Sequence, residues 1–189
     1  MINCLITGVG GQGTVLASKL IAKAAIKEGY EVRTTETIGM AQRGGSVVSH
    51  VRMGKEIFSP LISKGEADII IGFEPAEAVR LLPLLKQGGV MVVNRDAVKP
   101  TVNPDAYRSE EMIDFLKEKV ENLEIVDGNA LCKACGNPRA LNIVLIGRSL
   151  RLGVLPFTKE DIAEVIKTSV KEKFVEVNLK ALELGYKGE

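Results

Sequence analysis

The chain has 189 residues, 46% of them hydrophobic and 26% charged, which suits one domain with a sizeable core. Lys and Arg number 25 against 24 Asp and Glu; with no Trp and 4% aromatics, neither a basic surplus nor stacking rings call for nucleic acid. No apolar run approaches the ~18 residues of a membrane span, and the N-terminus reads as a strand rather than a leader, so a cytoplasmic location is expected.

Ile2 to Thr7 reads as a buried strand, followed by the loop "GVGGQG" and a helix over Thr14 to Lys27 with apolar residues at i, i+3 and i+4. Gly29 ends that helix, and Glu31 to Glu36 forms a second strand. "TIGMAQRGG" is a loop. "SVVSHVRMGKEIFSP" reads as a β-hairpin turning near Met53-Gly54-Lys55, where a plain doubly wound fold would place a crossover helix. Asp68 to Phe73 is a strand, Pro75 to Lys86 a helix with Pro75 in its first turn, and Gly89 to Asn94 another strand. An amphipathic helix over Ser109 to Glu121 and a strand over Leu123 to Val126 complete the alternation. A short helix, Asn129 to Cys135, stops at "GNP". Asn137 is expected to cap an apolar helix with Pro138 at its first position. Thr158 and Asp161 resemble a capping box for a helix ending near Thr168, and a last helix carries Phe174, Val177, Ala181 and Leu184 on one side. No linker or repeat divides the sequence. The expectation is one α/β domain over residues 1–189, Rossmann-like, with a mostly parallel sheet, helices on both faces and a β-hairpin insertion after the second strand.

The Gly-rich loop lies between a strand and a helix, the setting in which GxGxxG acquires meaning. Gly8 permits a tight turn, Gly10 lets backbone approach a phosphate, and Gly13 lets the helix pack closely, while the helix N-terminus offers N–H groups and partial positive charge. Glu36 stands about 20 residues on, where a ribose-binding acid is expected. Packing alone would also account for the glycines. Beside this loop, "ETIGMAQRGGSVVSHVR" starts at the carboxyl end of a strand. Arg43 between glycines can present its fork to a carboxylate or phosphate, or be a solvated turn residue. The only histidine, His50, alternates with valines and reads as a strand residue rather than a base. Cys4, Cys132 and Cys135 are too few and too scattered for a four-ligand zinc or iron–sulfur site, and "CKAC" reads as two small buried residues more readily than as a redox dithiol.

With "GVGGQG", "ETIGMAQRGGSVVSHVR", "SPLI…GEADIIIGFEP-EA-R" and "GNPRALN" in hand, the chain resembles the gamma-type domain of 2-oxoacid:ferredoxin oxidoreductases, and within it the indolepyruvate:ferredoxin oxidoreductase beta subunits. The matching features span roughly residues 5–157. The resemblance implies a small subunit of an enzyme that oxidatively decarboxylates aryl-2-oxoacids. Thiamine diphosphate and iron–sulfur clusters belong to a large partner subunit, coenzyme A accepts the acyl group, and ferredoxin takes the electrons through the complex. No catalytic residue or metal ligand is assigned to this chain. Gly8, Gly10, Gly11, Gln12, Gly13, Gln42, Arg43 and Gly44 are the candidates to face coenzyme A phosphates or the shared cleft, or, for Gln42 and Arg43, to dock the partner. Cys132 and Cys135 depart from the family pattern. The other readings are a gamma subunit acting on pyruvate or another 2-oxoacid, a stand-alone NAD-binding dehydrogenase, an adenylating enzyme, and a scaffold subunit with an empty loop.

Overall fold

The structure is a computed structural model that describes residues 1–39, 44–99 and 103–188. Its centre is a six-stranded sheet: β1 (Ile2–Val9), β2 (Glu31–Ile38), β3 (Ser46–Gly54), β4 (Ala67–Gly72), β5 (Leu85–Asn94) and β6 (Asn122–Val126), in the spatial order β2-β3-β1-β4-β5-β6. β1, β4, β5 and β6 pair in parallel, while β3 pairs antiparallel with both β1 and β2. Only β3 therefore runs against the others. The α/β class with a mostly parallel sheet is as expected.

Seven helices surround the sheet among the described residues: α1 (Thr14–Lys27), α2 (Pro75–Leu81), α3 (Ser109–Lys119), α4 (Gly128–Cys135), α5 (Leu141–Arg151), α6 (Lys159–Ser169) and α7 (Val175–Lys187). Alternate strand residues point to opposite faces, so the sheet carries two cores. Cys4, Ile6, Ile69, Ile71, Val92 and Val51 pack with α1 and with α4 to α7. Leu5, Ile70, Met91 and Val93 pack with α2 and α3 on the other face. The α5 segment, apolar on most sides in sequence, is buried from Asn142 to Leu150.

Three expectations are corrected. The hairpin near Met53-Gly54-Lys55 does not form: Ser46–Gly54 is one continuous strand, and Gly54 marks where it ends and a loop begins. The reversal lies at the strand's other end, where Gly39 N–H donates to the Ser46 carbonyl at 2.8 Å and β2 turns into β3. The helix from Pro75 stops at Leu81, a single 3-10 turn follows over Leu82–Leu84, and β5 starts at Leu85. Pro83 has no N–H to continue an α-helical ladder. Asn137 caps only a local turn, accepting from Arg139 N at 3.0 Å, and α5 starts later, with Ala140 at its N-cap.

α7 packs on α5 through backbone. A Cβ added at Gly185 would lie 2.1 Å from the Val144 carbonyl oxygen, and one at Gly147 would lie 2.4 Å from that of Leu182. Each helix thus brings a glycine to the other's main chain.

Candidate functional site

The chain leaves β1 toward α1 on one face and β4 toward α2 on the other, so the crevice between those two strand ends is the switch point where open α/β sheets take ligands. The Gly-rich loop closes one side of it. Gly8 is the close-approach residue: an added Cβ would lie 2.8 Å from Phe73 Cβ. Gly13 occupies the N-cap of α1 at φ 86°, with no side-chain cap and no acidic residue in the first turn. The side of Gly13 meets Asn142 of α5, with Nδ2 at 3.2 Å from an added Cβ, rather than packing on the strand. The first N–H groups of this 14-residue helix are therefore left without a side-chain partner at its N-cap.

Gln12 is tied into the scaffold. Its Oε1 accepts from Val9 N–H at 2.8 Å, and its Nε2 donates to the Phe73 carbonyl at 3.1 Å. The side chain thus spans the crevice floor from the end of β1 to the residue after β4. The Phe73 carbonyl also accepts from Asn94 Nδ2 at 3.2 Å, and Asn94 Oδ1 accepts from Gly128 N–H at 3.1 Å. Gln12 and Asn94 together stitch the carboxyl ends of β1, β4, β5 and β6.

Two buried carboxylates stand at the start of α2. Glu74 caps that helix, accepting from Glu77 N–H at 3.2 Å, and also accepts from the Tyr107 hydroxyl. Burial holds its carboxyl above the usual carboxylate range, outweighing those hydrogen bonds, and pushes the Tyr107 phenol up as well. Glu77 accepts from Ser46 Oγ at 2.6 Å and pairs with Arg80 at 3.3 Å. Through these contacts α2 anchors the segment around Tyr107 and the start of β3.

Gly10 N–H donates to the Gly45 carbonyl at 2.9 Å, so the residue just before β3 lies against the Gly-rich loop. Gly44 sits there at φ 74°. Of the sequence candidates, Gly8, Gly10, Gly11, Gln12, Gly13 and Gly44 therefore gather at one edge, while Gln42 and Arg43 lie outside the described residues. Glu36 does not join them as a ribose ligand. β3 stands between β2 and β1, and Glu36 accepts from Ser18 of α1 at 3.2 Å. His50 is also occupied: its Nδ1 accepts from Ile62 N–H at 3.1 Å, and burial, followed by Arg52, lowers its pKa.

Cys132 and Cys135 are buried in the core shared with α5, and burial pushes the Cys132 thiol up to about 11. Among the described residues no group of three or more His, Cys, Asp or Glu is placed to hold a metal ion. Glu74, Tyr107, Asn94 and Asn142 are the site residues that sequence reading missed. The available signals were a Glu directly before a helix-starting Pro and an Asn closing an apolar strand run.

A Gly-rich strand–turn–helix at the switch point, with a reversed strand between β1 and β2, defines an α/β domain that departs from the strand order of dinucleotide-binding folds. Residues 3–188 match the family described as Pyruvate ferredoxin/flavodoxin oxidoreductase, and the chain belongs to that family. It is 40% identical to the indolepyruvate oxidoreductase subunit IorB of Pyrococcus horikoshii and 38% identical to that of Thermococcus kodakarensis. Each alignment covers 98% of this chain and 94% of the relative. Among solved structures, the gamma subunit of a keto/oxoacid ferredoxin oxidoreductase from Geobacter sulfurreducens superposes with a TM-score of 0.72 at 25% identity, covering 100% of this chain and 98% of that one.

Proposed function

We propose that this chain is the small subunit of a ferredoxin-dependent oxidoreductase that converts aryl-2-oxoacids such as indolepyruvate to acyl-coenzyme A. The observation that carries the reading is the identity of 38 to 40% with IorB subunits over nearly the whole length of both chains. In this reading thiamine diphosphate and iron–sulfur clusters, held by the larger subunit, supply the decarboxylation and electron-transfer chemistry. This chain supplies a rigid wall of the shared cleft. The N-terminus of α1, reached through Gly10, Gly11 and Gly13, fits a phosphate of coenzyme A, because Gly13 leaves the first-turn N–H groups free of a side-chain cap. Gln12 holds that wall rather than touching ligand, since both ends of its carboxamide are engaged by backbone. Gln42, Arg43 and Gly44 precede Gly45, whose carbonyl accepts from Gly10, and in this reading they line the same cleft or, for Gln42 and Arg43, meet the large subunit.

The test is anaerobic purification of the complex, followed by viologen reduction. Reduction that requires both indolepyruvate and coenzyme A supports the proposal, whereas a lone homo-oligomer that binds NAD tightly would sink it. Within the active complex, Arg43→Ala should raise the apparent KM for coenzyme A or weaken assembly with the large subunit. If neither changes, the loop has no part in the site.

A further inference from the structure

The β2 side of the sheet ends in an open edge. Six of the eight residues of β2 are exposed, and its register with β3 runs unbroken from Glu31 to Ile38. The strand contains no Pro or bulge, and its three charges, Glu31, Arg33 and Glu36, are of both signs, so they can be set against uncharged residues of a second strand. The opposite edge is managed differently. β6 has five residues, mostly half-buried or buried, and Glu124 on it is held by Arg148 at 3.1 Å. Two large apolar side chains face water near opposite ends of β2, Ile38 at its last position, 62% exposed, and Phe58 by its start, 96% exposed. Phe58 sits on a fixed loop: Arg52 donates to the Ser59 and Leu61 carbonyls at 3.1 and 3.0 Å, and Ile57 and Ile62 are buried on either side. Arg33 Nε donates to the Ile57 carbonyl at 3.4 Å, which ties that loop to the start of β2.

We propose that this edge is an interface between two copies of the chain, with β2 paired antiparallel to β2 about a two-fold axis through Thr35, joining two sheets into one. The sequence of the strand selects the register. A two-fold axis normal to the sheet keeps each face with its like, so it passes through a residue rather than between residues. Centred on Arg33 it would set Arg33 against Arg33, and centred on Glu36 it would set Glu36 against Glu36; both like-charge pairs are destabilising. Centred on Thr34 it would face Val32 with Glu36. Centred on Thr35 it pairs Val32 with Ile38, Thr34 with Glu36, Arg33 with Thr37, and Thr35 with itself, so that no like charges oppose and the exposed Ile38 is covered. The same antiparallel arrangement carries Phe58, tied near Arg33, to the Thr37 end of the other strand. A strand edge alone falls short of the ~1,600 Å² of a typical stable interface, and Phe58 from both copies adds apolar area at its two ends. This inference is independent of the proposed catalytic role.

Facing residues of an antiparallel pair have Cα atoms about 4.5–5.5 Å apart, within disulfide reach, and the native Cys4, Cys132 and Cys135 are buried. Thr35→Cys should therefore form a disulfide-linked homodimer on anaerobic treatment with diamide, both alone and in the complex. Thr37→Cys, which faces Arg33 and not itself, should give at least tenfold less. In the unmodified chain, hydrogen exchange of β2 amides should slow as concentration rises. Equal cross-linking of the two variants, linkage of Thr35→Cys to the large subunit instead, or β2 exchange independent of concentration would each overturn the proposal.

Discussion

Gln12 bonds to backbone at both ends, and its strength comes from what would be left behind without it. In Gln12→Ala the Val9 N–H loses its side-chain acceptor and the Phe73 carbonyl loses one of its two side-chain donors. The expected cost is about 1–3 kcal/mol, read as a lower urea midpoint with an unchanged m-value. Glu74 acts on a different axis, pH. Its folded carboxyl sits above the ordinary value because it is buried, so the folded state holds that proton more tightly than the unfolded state. The associated stability is present below the ordinary glutamate value and is lost as pH rises through the folded value. Glu74→Gln should flatten this descent in Tm measured against pH; an unchanged slope would show that another group causes it. Neither role was legible beforehand. "GVGGQG" announced a loop, but not that Gln12 would turn inward, because a side chain's choice between ligand and backbone depends on a strand end 61 residues away.

Secondary elements were legible where periodicity and capping agreed. The expected capping box forms: Thr158 Oγ1 accepts from Asp161 N–H at 3.2 Å, and Asp161 accepts from Thr158 N–H at 2.8 Å. The helix it starts docks on α1 through Lys27, which pairs with Asp161 at 3.6 Å and also with Glu164. The Thr158 hydroxyl, then its amide, hold the Asp161 carboxyl below the usual range. That stabilisation is present above the ordinary aspartate value and is lost as pH falls through the folded one. Thr158→Ala should weaken this acid-side loss, measurable as a shallower fall in Tm toward low pH. The hairpin failed for an equally local reason. Met53-Gly54-Lys55 has turn composition, yet a strand leaving the sheet also ends on such residues, and the alternation within Ser46–Gly54 fits a central strand as well as a hairpin arm. Likewise, "GNP" reads as a helix start, although the helix begins at Leu141 after an extra turn.

At the scale of the whole molecule, the last helix closes the core through the two glycines that face each other's backbone. Gly185→Ala would drive a methyl into the Val144 carbonyl, whose neighbours are packed helix on both sides. The expected destabilisation is about 1–3 kcal/mol, seen as a lower urea midpoint and faster proteolysis of the segment from Val175 onward. The sequence showed α7 as amphipathic but not which element it would cover, because a glycine's closeness to a distant main chain leaves no periodic trace. Strand order was equally hidden, since β3 inserts between two strands that precede it in the chain. That insertion has a consequence for ligand choice. In a dinucleotide fold the strand bearing the ribose acid lies next to β1, and the acid limits how the sugar can sit. Here β3 takes the place beside β1, and the corresponding strand is displaced by one further strand spacing, about 4.8 Å. A ribose placed on that side of β1 would meet β3 instead of a carboxylate, which removes one reason for the Gly-rich loop to prefer a nicotinamide cofactor.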